Sequence, residues 1–100
     1  MHIVIVYCTV KAEHREPFLA GAADLIRATR QEAGNIAYGC FEDPAAPGRM
    51  TFVEEWRSRG DIDAHLAQPY TRAFLALALP MLAEPPSMRA FDVARIESLM

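Results

Sequence analysis

The stretch from residue 49 to residue 66 (RMTFVEEWRSRGDIDAHL) changes its hydrophobic period partway along, and this change constrains the fold most. Residues 49–56 alternate between two faces, which predicts a strand. One face of this strand carries Phe52, Glu54 and Trp56. After Gly60 the spacing becomes helical, and one helical stripe carries Ile62, His65 and Leu66. A helix that folds back over this strand would direct His65 at the face that carries Glu54 and Trp56.

The first half of the chain predicts a strand, a helix and a second strand. Residues 2–10 (HIVIVYCTV) are rich in β-branched residues and apolar on both faces, as in a covered strand. Apolar residues at helical spacing predict a helix over about residues 14–32, which Gly34 would close in a left-handed conformation. Residues 36–42 (IAYGCFE) follow as a strand, and the loop DPAAPG joins it to the next strand.

The second half predicts an interrupted helix and a last strand. Gln68-Pro69 breaks the helix that begins after Gly60, because proline lacks an amide donor and disfavours helical geometry in the residue before it. A second helical segment would restart at about Tyr70. Residues 88–95 (MRAFDVAR) supply a last strand, so the order is strand, helix, strand, strand, broken helix, strand.

This order predicts a single α+β domain over residues 1–100, with a ferredoxin-like βαββαβ antiparallel sheet and its helices on one face. One hundred residues suffice for one such domain. In the usual strand order, four-one-three-two, the third strand separates the first from the second. Cys8 and Cys40 would then lie roughly 9 to 10 Å apart, which makes a disulfide between them geometrically unfavourable.

The first strand is apolar on both faces, whereas the helices of this fold cover only one face. The two faces carry Ile3, Ile5 and Tyr7 on one side and Val4, Val6 and Cys8 on the other. A second copy, packed sheet against sheet, is the simplest cover for the remaining face. We therefore expect a two-fold homodimer with isologous contacts.

Composition and charge argue against several classes of partner. The net charge is −3, and the scattered Lys and Arg residues form no basic stripe of the kind that binds nucleic acid. No apolar run approaches the roughly 18 to 20 residues that span a bilayer, and the start MHIVIVYCTVK lacks a basic leader and a cleavage site. We expect a cytoplasmic protein with no nucleic-acid or membrane partner. No spacing of His, Cys or acidic residues predicts a metal site.

The segments VKAEHREPFLAGAADLIRATRQEAGNIAYGCFEDP and GRMTFVEEWRSRGDIDAHLAQPYTRAFL resemble the antibiotic biosynthesis monooxygenase (ABM) domain over nearly the whole chain. The most telling parts are the strand end EEW (54–56), the helix segment DAHL (63–66), and the later Pro69 and Phe74. The resemblance implies a dimeric α+β barrel with a pocket between each sheet and its helices. The family includes cofactor-free monooxygenases of quinols and polycyclic phenols, haem-degrading enzymes and a sugar-phosphate isomerase.

The haem-degrading branch of this family is similar in fold but differs at its haem-binding positions. It has an asparagine on the first strand, a tryptophan on the helix after the third strand, and a haem-ligating histidine further on. Here the first-strand neighbourhood is Val-Tyr-Cys at 6–8, and His65 takes the place of the tryptophan. The later histidine falls near Phe74 or Leu75. We therefore expect no haem, and no flavin either.

His65 and Glu54 are the candidate catalytic residues. A cofactor-free monooxygenase needs a base, because an ionised phenol donates electrons to dioxygen more readily than a neutral one. Histidine suits this role near neutral pH. Glu54 would orient the His65 ring or stabilise its charged form if the two meet across the pocket. Alternatively, His65 is a partly buried helix residue hydrogen-bonded to backbone.

Four aromatic residues are candidate substrate contacts: Trp56, Phe52, Tyr38 and Phe74. Aromatic side chains give a flat substrate an apolar wall, although they serve equally well as core. Tyr38 could offer its hydroxyl to a bound oxygen atom. Glu54 is the sharper signal, because a carboxylate on an apolar face is costly unless it is paired or hydrated.

The sequence thus predicts an oxidoreductase, a cofactor-independent monooxygenase that oxidises a phenolic or quinol-like aromatic with dioxygen. Two alternatives stay open. One is a binding or accessory protein that holds a small hydrophobic ligand without transforming it. The other is an isomerase of a small carbonyl compound or sugar phosphate, which His65 and Glu54 would serve as proton shuttles.

Overall fold

A four-stranded antiparallel sheet forms one layer of the molecule, and helices cover one of its faces. The computed structural model describes all 100 residues. The strands are β1 (His2–Thr9), β2 (Asn35–Glu42), β3 (Arg49–Trp56) and β4 (Ser87–Asp92). Their order, β2-β3-β1-β4, is the ferredoxin-like order predicted from the sequence. The sheet is open, with β2 and β4 at its edges.

Three α-helices form the second layer: α1 (Arg15–Thr29), α2 (Arg59–Ala67) and α3 (Pro69–Ala78). One 3-10 turn precedes α1 and another follows α3. Gln68 separates α2 from α3 with an extended conformation (ψ 138°), so the predicted break before Pro69 is confirmed. None of the helices has both the length and the apolar composition that a membrane span requires.

The core lies between the inner face of the sheet and the helices. The period of two in β3 is confirmed, since its inner residues Met50, Phe52, Glu54 and Trp56 are all buried. From α1, Phe18 reaches the sheet and meets the rings of Phe52 and Phe74 edge-on, at centroid distances of 6.2 and 5.6 Å. These aromatic contacts hold α1 and α3 over the same part of the sheet.

The prediction that Gly34 closes α1 in a left-handed conformation is wrong. α1 ends at Thr29, and the one residue with a positive φ is Gly48, at 88°. Gly34 serves a different purpose, because a Cβ atom at this position would lie 2.1 Å from Cγ of Asp61 in α2. The chain leaving α1 passes so close to the start of α2 that only glycine fits.

Two further sequence expectations concern the sheet. β4 spans Ser87–Asp92, which is shorter than the predicted 88–95 because the chain leaves the sheet after Asp92. Cys8 and Cys40 are both free thiols, on strands separated by β3, as expected. The outer face of the sheet, opposite the helices, leaves several large apolar side chains exposed: Tyr7, Phe41, Val53 and Phe91.

Candidate functional site

A cavity of about 200 Å³ lies between the inner face of the sheet and the helices. Most of its lining is apolar and comes from all four strands and all three helices. Four polar residues interrupt this lining: Glu54, Arg59, His65 and Thr71. A largely apolar cavity with a few convergent polar groups is the usual form of a small-molecule site.

Five of the six residues singled out from the sequence line this cavity: Tyr38, Phe52, Glu54, His65 and Phe74. They come from β2, β3, α2 and α3, and the fold brings them together because β2 and β3 are neighbours beneath the helices. The sixth residue, Trp56, lies outside the cavity lining.

Trp56 is completely buried, at 0% exposure, behind the cavity wall. Its ring packs against the imidazole of His65, with 4.8 Å between the centroids. Its indole N–H donates a hydrogen bond of 2.9 Å to Oε1 of Glu54. Trp56 therefore lies behind the cavity lining and contacts two polar residues that do line it, Glu54 and His65, and its contact with substrate stays a prediction.

Glu54 is a carboxyl group on the buried face of β3, only 5% exposed. Burial raises its pKa to about 7, although the hydrogen bond from Trp56 opposes this effect; the nearby Glu32 carboxylate raises the pKa further. The group can therefore give or take a proton near neutral pH. This is an uncommon property for a glutamate and is concentrated at functional sites.

His65 lies in the last turn of α2, with its ring packed against those of Tyr38 and Trp56. Its Nδ1 atom is 2.8 Å from Oε2 of Glu32. The Oγ1 atom of Thr71 lies 3.4 Å from the same nitrogen. The carboxylate that contacts the ring is therefore Glu32, whereas the sequence analysis considered only Glu54 as its partner.

Glu32 is held in the turn that follows α1. Its backbone N–H donates to the carbonyl of Thr29 at 2.9 Å, and its own carbonyl accepts from the N–H of Asn35 at 3.1 Å. The Tyr70 hydroxyl donates a 2.6 Å hydrogen bond to the carboxylate oxygen that contacts His65. A turn, the end of α2 and the start of α3 thus meet at one carboxylate.

Sequence reasoning missed four polar residues of this site: Glu32, Arg59, Tyr70 and Thr71. Glu32 falls in a turn, where no periodicity identifies a buried face. Tyr70 and Thr71 follow the break at Pro69, so their directions cannot be extrapolated from α2. The one available signal was indirect, since a buried histidine requires a polar partner from somewhere in the chain.

Tyr38 places a neutral hydroxyl beside this constellation. Burial, reinforced by the charge of Glu54, holds the pKa of the phenol well above its ordinary value. Tyr38 thus remains a hydrogen-bond donor over the whole physiological range. No group of three or more His, Cys, Asp or Glu side chains is arranged to hold a metal ion.

Comparison with known proteins identifies the family of this chain. The family model for antibiotic biosynthesis monooxygenases matches residues 1–77. An uncharacterized Synechocystis protein, sll1783, is 31% identical over 90 residues, and the match covers 90% of this chain but only 61% of that protein. A Bacillus subtilis protein with the name "Putative monooxygenase YcnE" is 30% identical over 97 residues, and the match covers 97% of each chain.

Solved structures agree with this assignment. A crystal structure described as an antibiotic biosynthesis monooxygenase superposes with a TM-score of 0.89 at 28% identity, covering 95% of this chain and 100% of that one. A Deinococcus radiodurans protein, provisionally given the same description, superposes with a TM-score of 0.93 at 25% identity, covering 100% and 99%. The chain therefore belongs to the antibiotic biosynthesis monooxygenase family.

Proposed function

We propose that this protein is a cofactor-independent monooxygenase that oxidises a phenolic or quinol-like aromatic with dioxygen. The placement of one imidazole beside a carboxyl group in a largely apolar, aromatic-lined cavity is the observation that best supports this proposal. The monooxygenase names of related proteins support the same reaction class.

The size of the cavity favours a small substrate. Its volume is about 200 Å³, whereas an apolar cavity of about 150 Å³ is large enough to bind benzene. One ring, or a compact two-ring phenol, therefore fits without rearrangement of the protein. The rings of Phe52 and Phe74 line this space and offer a flat substrate both edge and face contacts.

The proposed reaction needs no external reductant, because the substrate supplies all four electrons that reduce dioxygen. One oxygen atom enters the ring and becomes a carbonyl, and the other leaves as water. A naphthol, for example, would give a naphthoquinone and one molecule of water. The main demand on the protein is to remove the phenolic proton, since the phenolate is the form that donates electrons to dioxygen.

Two residues carry out the proton transfers in this proposal, and a third donates a hydrogen bond. His65 accepts the phenolic proton through Nε2, because its Nδ1 atom is engaged by Glu32. Glu54, with a pKa of about 7, returns a proton to the oxygen atom that departs as water. Tyr38, held neutral, donates a hydrogen bond to substrate oxygen.

We also propose that two copies pack through the outer faces of their sheets. The residues Tyr7, Phe41, Val53 and Phe91 leave apolar surface exposed on that face, which the helices of the same chain do not cover. A two-fold axis would place the same patch of both copies together, and would leave the cavity on the opposite side of each sheet.

Replacement of His65 by alanine tests the reaction. We expect oxygen uptake with small hydroquinones and naphthols to fall at least about 10²-fold, because the general base is removed. An oxygen electrode measures this directly, with the uncatalysed rate subtracted. His14→Ala is the matched control, since His14 lies just before α1 and outside the cavity lining.

Equal uptake by wild type and His65→Ala would remove His65 from the role of base. If the folded wild-type protein consumes no oxygen with any phenol, the proposed reaction is wrong. Saturable binding of the same phenols in that case would indicate a ligand-binding protein. Loss of activity in His14→Ala as well would show that the effect is not specific to the cavity.

A further inference from the structure

The Nδ1 atom of His65 and the hydroxyl of Tyr70 converge on one oxygen of Glu32. The distances to Oε2 are 2.8 Å from Nδ1 and 2.6 Å from the hydroxyl. Both side chains of the His65–Glu32 pair are largely buried, at 4% and 12% exposure. Two buried polar groups at this separation are coupled, because 2.8 Å is a hydrogen-bonding distance.

The hydrogen-bond inventory decides which ring nitrogen of His65 carries the proton. A carboxylate can only accept hydrogen bonds, so the 2.8 Å contact with Glu32 is a hydrogen bond only when Nδ1 carries the proton. Tyr70 has a single proton, and burial together with the Glu32 contact raises the pKa of its hydroxyl to about 12. Tyr70 therefore donates to Glu32 throughout the physiological range. The neutral imidazole is left with an unprotonated Nε2.

We propose that Glu32 is a positioning residue for His65: held by Tyr70, its carboxylate keeps the imidazole proton on Nδ1 and leaves the Nε2 lone pair for the ligand in the cavity. The proposal builds on the proposed role of His65 as base. Glu32 itself lies outside the cavity lining, so it acts on the substrate only through the ring.

The placement of Glu32 fits this role better than a purely stabilising one. Burying a histidine and a carboxylate together is often no better for stability than burying two apolar residues of similar volume. Here the turn after α1 also fixes the backbone of Glu32, since both of its backbone polar groups are hydrogen-bonded within that turn. A fixed acceptor of this kind sets the tautomer and the ring orientation of a histidine base.

The tautomer can be measured without any turnover. We expect long-range ¹H–¹⁵N NMR correlations of histidine-labelled protein to show neutral His65 mainly in the Nδ1-protonated form. The chain has three histidines, so the spectrum of His65→Ala assigns the signals. In Glu32→Ala the Nε2-protonated form should increase several-fold, because the acceptor is gone. Glu32→Gln keeps an acceptor oxygen and should retain the Nδ1-protonated form.

Kinetics provide the second measurement. In Glu32→Ala we expect kcat to fall about 10- to 100-fold with little change in KM, because Glu32 orients the base but does not contact the substrate. Tyr70→Phe should show a smaller fall of the same kind. Glu13→Ala is the matched control, since Glu13 is an exposed acid in the 3-10 turn before α1.

The two readouts separate this inference from the proposed reaction. If wild-type His65 is mainly protonated on Nε2, or if Glu32→Ala leaves the tautomer unchanged, Glu32 does not position the ring. A rise in KM with unchanged kcat would also overturn the inference. If no phenol is turned over, the reaction is wrong but the tautomer measurement on the wild type still decides the role of Glu32. That measurement also decides the case in which Glu32→Ala fails to fold.

Discussion

Two glutamates close to His65 are set apart by their immediate neighbours. Glu54 accepts one hydrogen bond, from Trp56, and lines a cavity that is mostly apolar. Glu32 accepts from both His65 and Tyr70. The first environment raises the pKa of Glu54 through burial, whereas the second supplies Glu32 with two hydrogen-bond partners.

The buried Glu54 makes the stability of the protein depend on pH. Its pKa lies near 7 in the folded state, compared with an ordinary value of 4.5. Between these two values the folded chain keeps a proton that the unfolded chain has released. The contribution of Glu54 to stability is therefore fully present below about pH 4.5 and is lost as the pH rises through about 7, a change of roughly 3 kcal/mol.

Replacement of Glu54 by glutamine should abolish this part of the pH dependence. Glutamine keeps an oxygen for the indole N–H of Trp56 but cannot ionise. We expect the variant to gain about 3 kcal/mol in unfolding free energy relative to wild type between pH 4.5 and pH 8. Urea titrations over this range measure the difference. Glu55→Gln, on the opposite face of β3, is the control, and a difference that is constant with pH would contradict the assignment.

At the scale of single elements, the start of α2 determines where His65 points. Ser58 caps the helix by accepting from the backbone N–H of Asp61 at 3.2 Å, and its hydroxyl donates to the Asp61 carboxylate at 2.8 Å. Gly34 packs directly against this capped turn. The turn that carries Glu32 and the helix that carries His65 are thereby locked together two residues after Glu32.

Two glycine substitutions on either side of this contact should have opposite effects. A Cβ at Gly34 would lie 2.5 Å from Cβ of Asp61, so Gly34→Ala must displace α2 and should cost about 1 to 3 kcal/mol. A Cβ at Gly60 would lie 3.7 Å from its nearest neighbour, Oγ of Ser58. Gly60→Ala should therefore be neutral or stabilise the protein by up to about 1 kcal/mol.

Denaturant unfolding of the two variants measures both effects. If Gly34→Ala is as stable as wild type, the close approach to Asp61 is not a constraint of the fold. Oxygen uptake by Gly34→Ala should also fall, since a displaced α2 carries His65 away from Glu32.

The elements themselves could be predicted from the sequence wherever local chemistry dominates. The alternation in β3 and the proline at position 69 each have one conformational solution, and both were predicted correctly. The partner of His65 could not be predicted. Glu32 reaches the ring only because a turn folds against α2, and this is a tertiary contact between residues 33 positions apart. Trp56 was placed on the correct face of β3. Its complete burial against His65 was not predicted, because it also depends on a tertiary contact.

At the scale of the whole molecule, the two faces of the sheet differ in burial and in the surface they present. The inner face holds the core and the cavity, while the outer face exposes apolar side chains around Val53 on the central strand β3. Exposed patches of this kind on a small chain usually mark an interaction surface. The proposed dimer would thus use the face that the candidate site does not need.

A charge on the outer face tests the proposed dimer. Val53→Glu would place a charge inside the proposed apolar interface in both copies, so the dimer should weaken at least about 100-fold. Sedimentation velocity measures the species present. Leu77→Glu is the matched control, because Leu77 is an equally apolar, exposed residue on α3. A monomeric wild type, or a dimer that survives Val53→Glu but not Leu77→Glu, would place the interface elsewhere or exclude it.

The break at Pro69 has a consequence for how related chains can be interpreted. In one continuous helix, residues 65 and 70 would point about 140° apart around the axis, since each residue turns it by about 100°. His65 and Tyr70 meet at Glu32 only because α3 begins in a new direction. A relative that keeps this histidine and tyrosine but runs through position 69 as unbroken helix would have both residues without their shared contact to one glutamate. In a relative, a proline at this position is therefore the sequence feature to check before the same contacts with Glu32 are inferred.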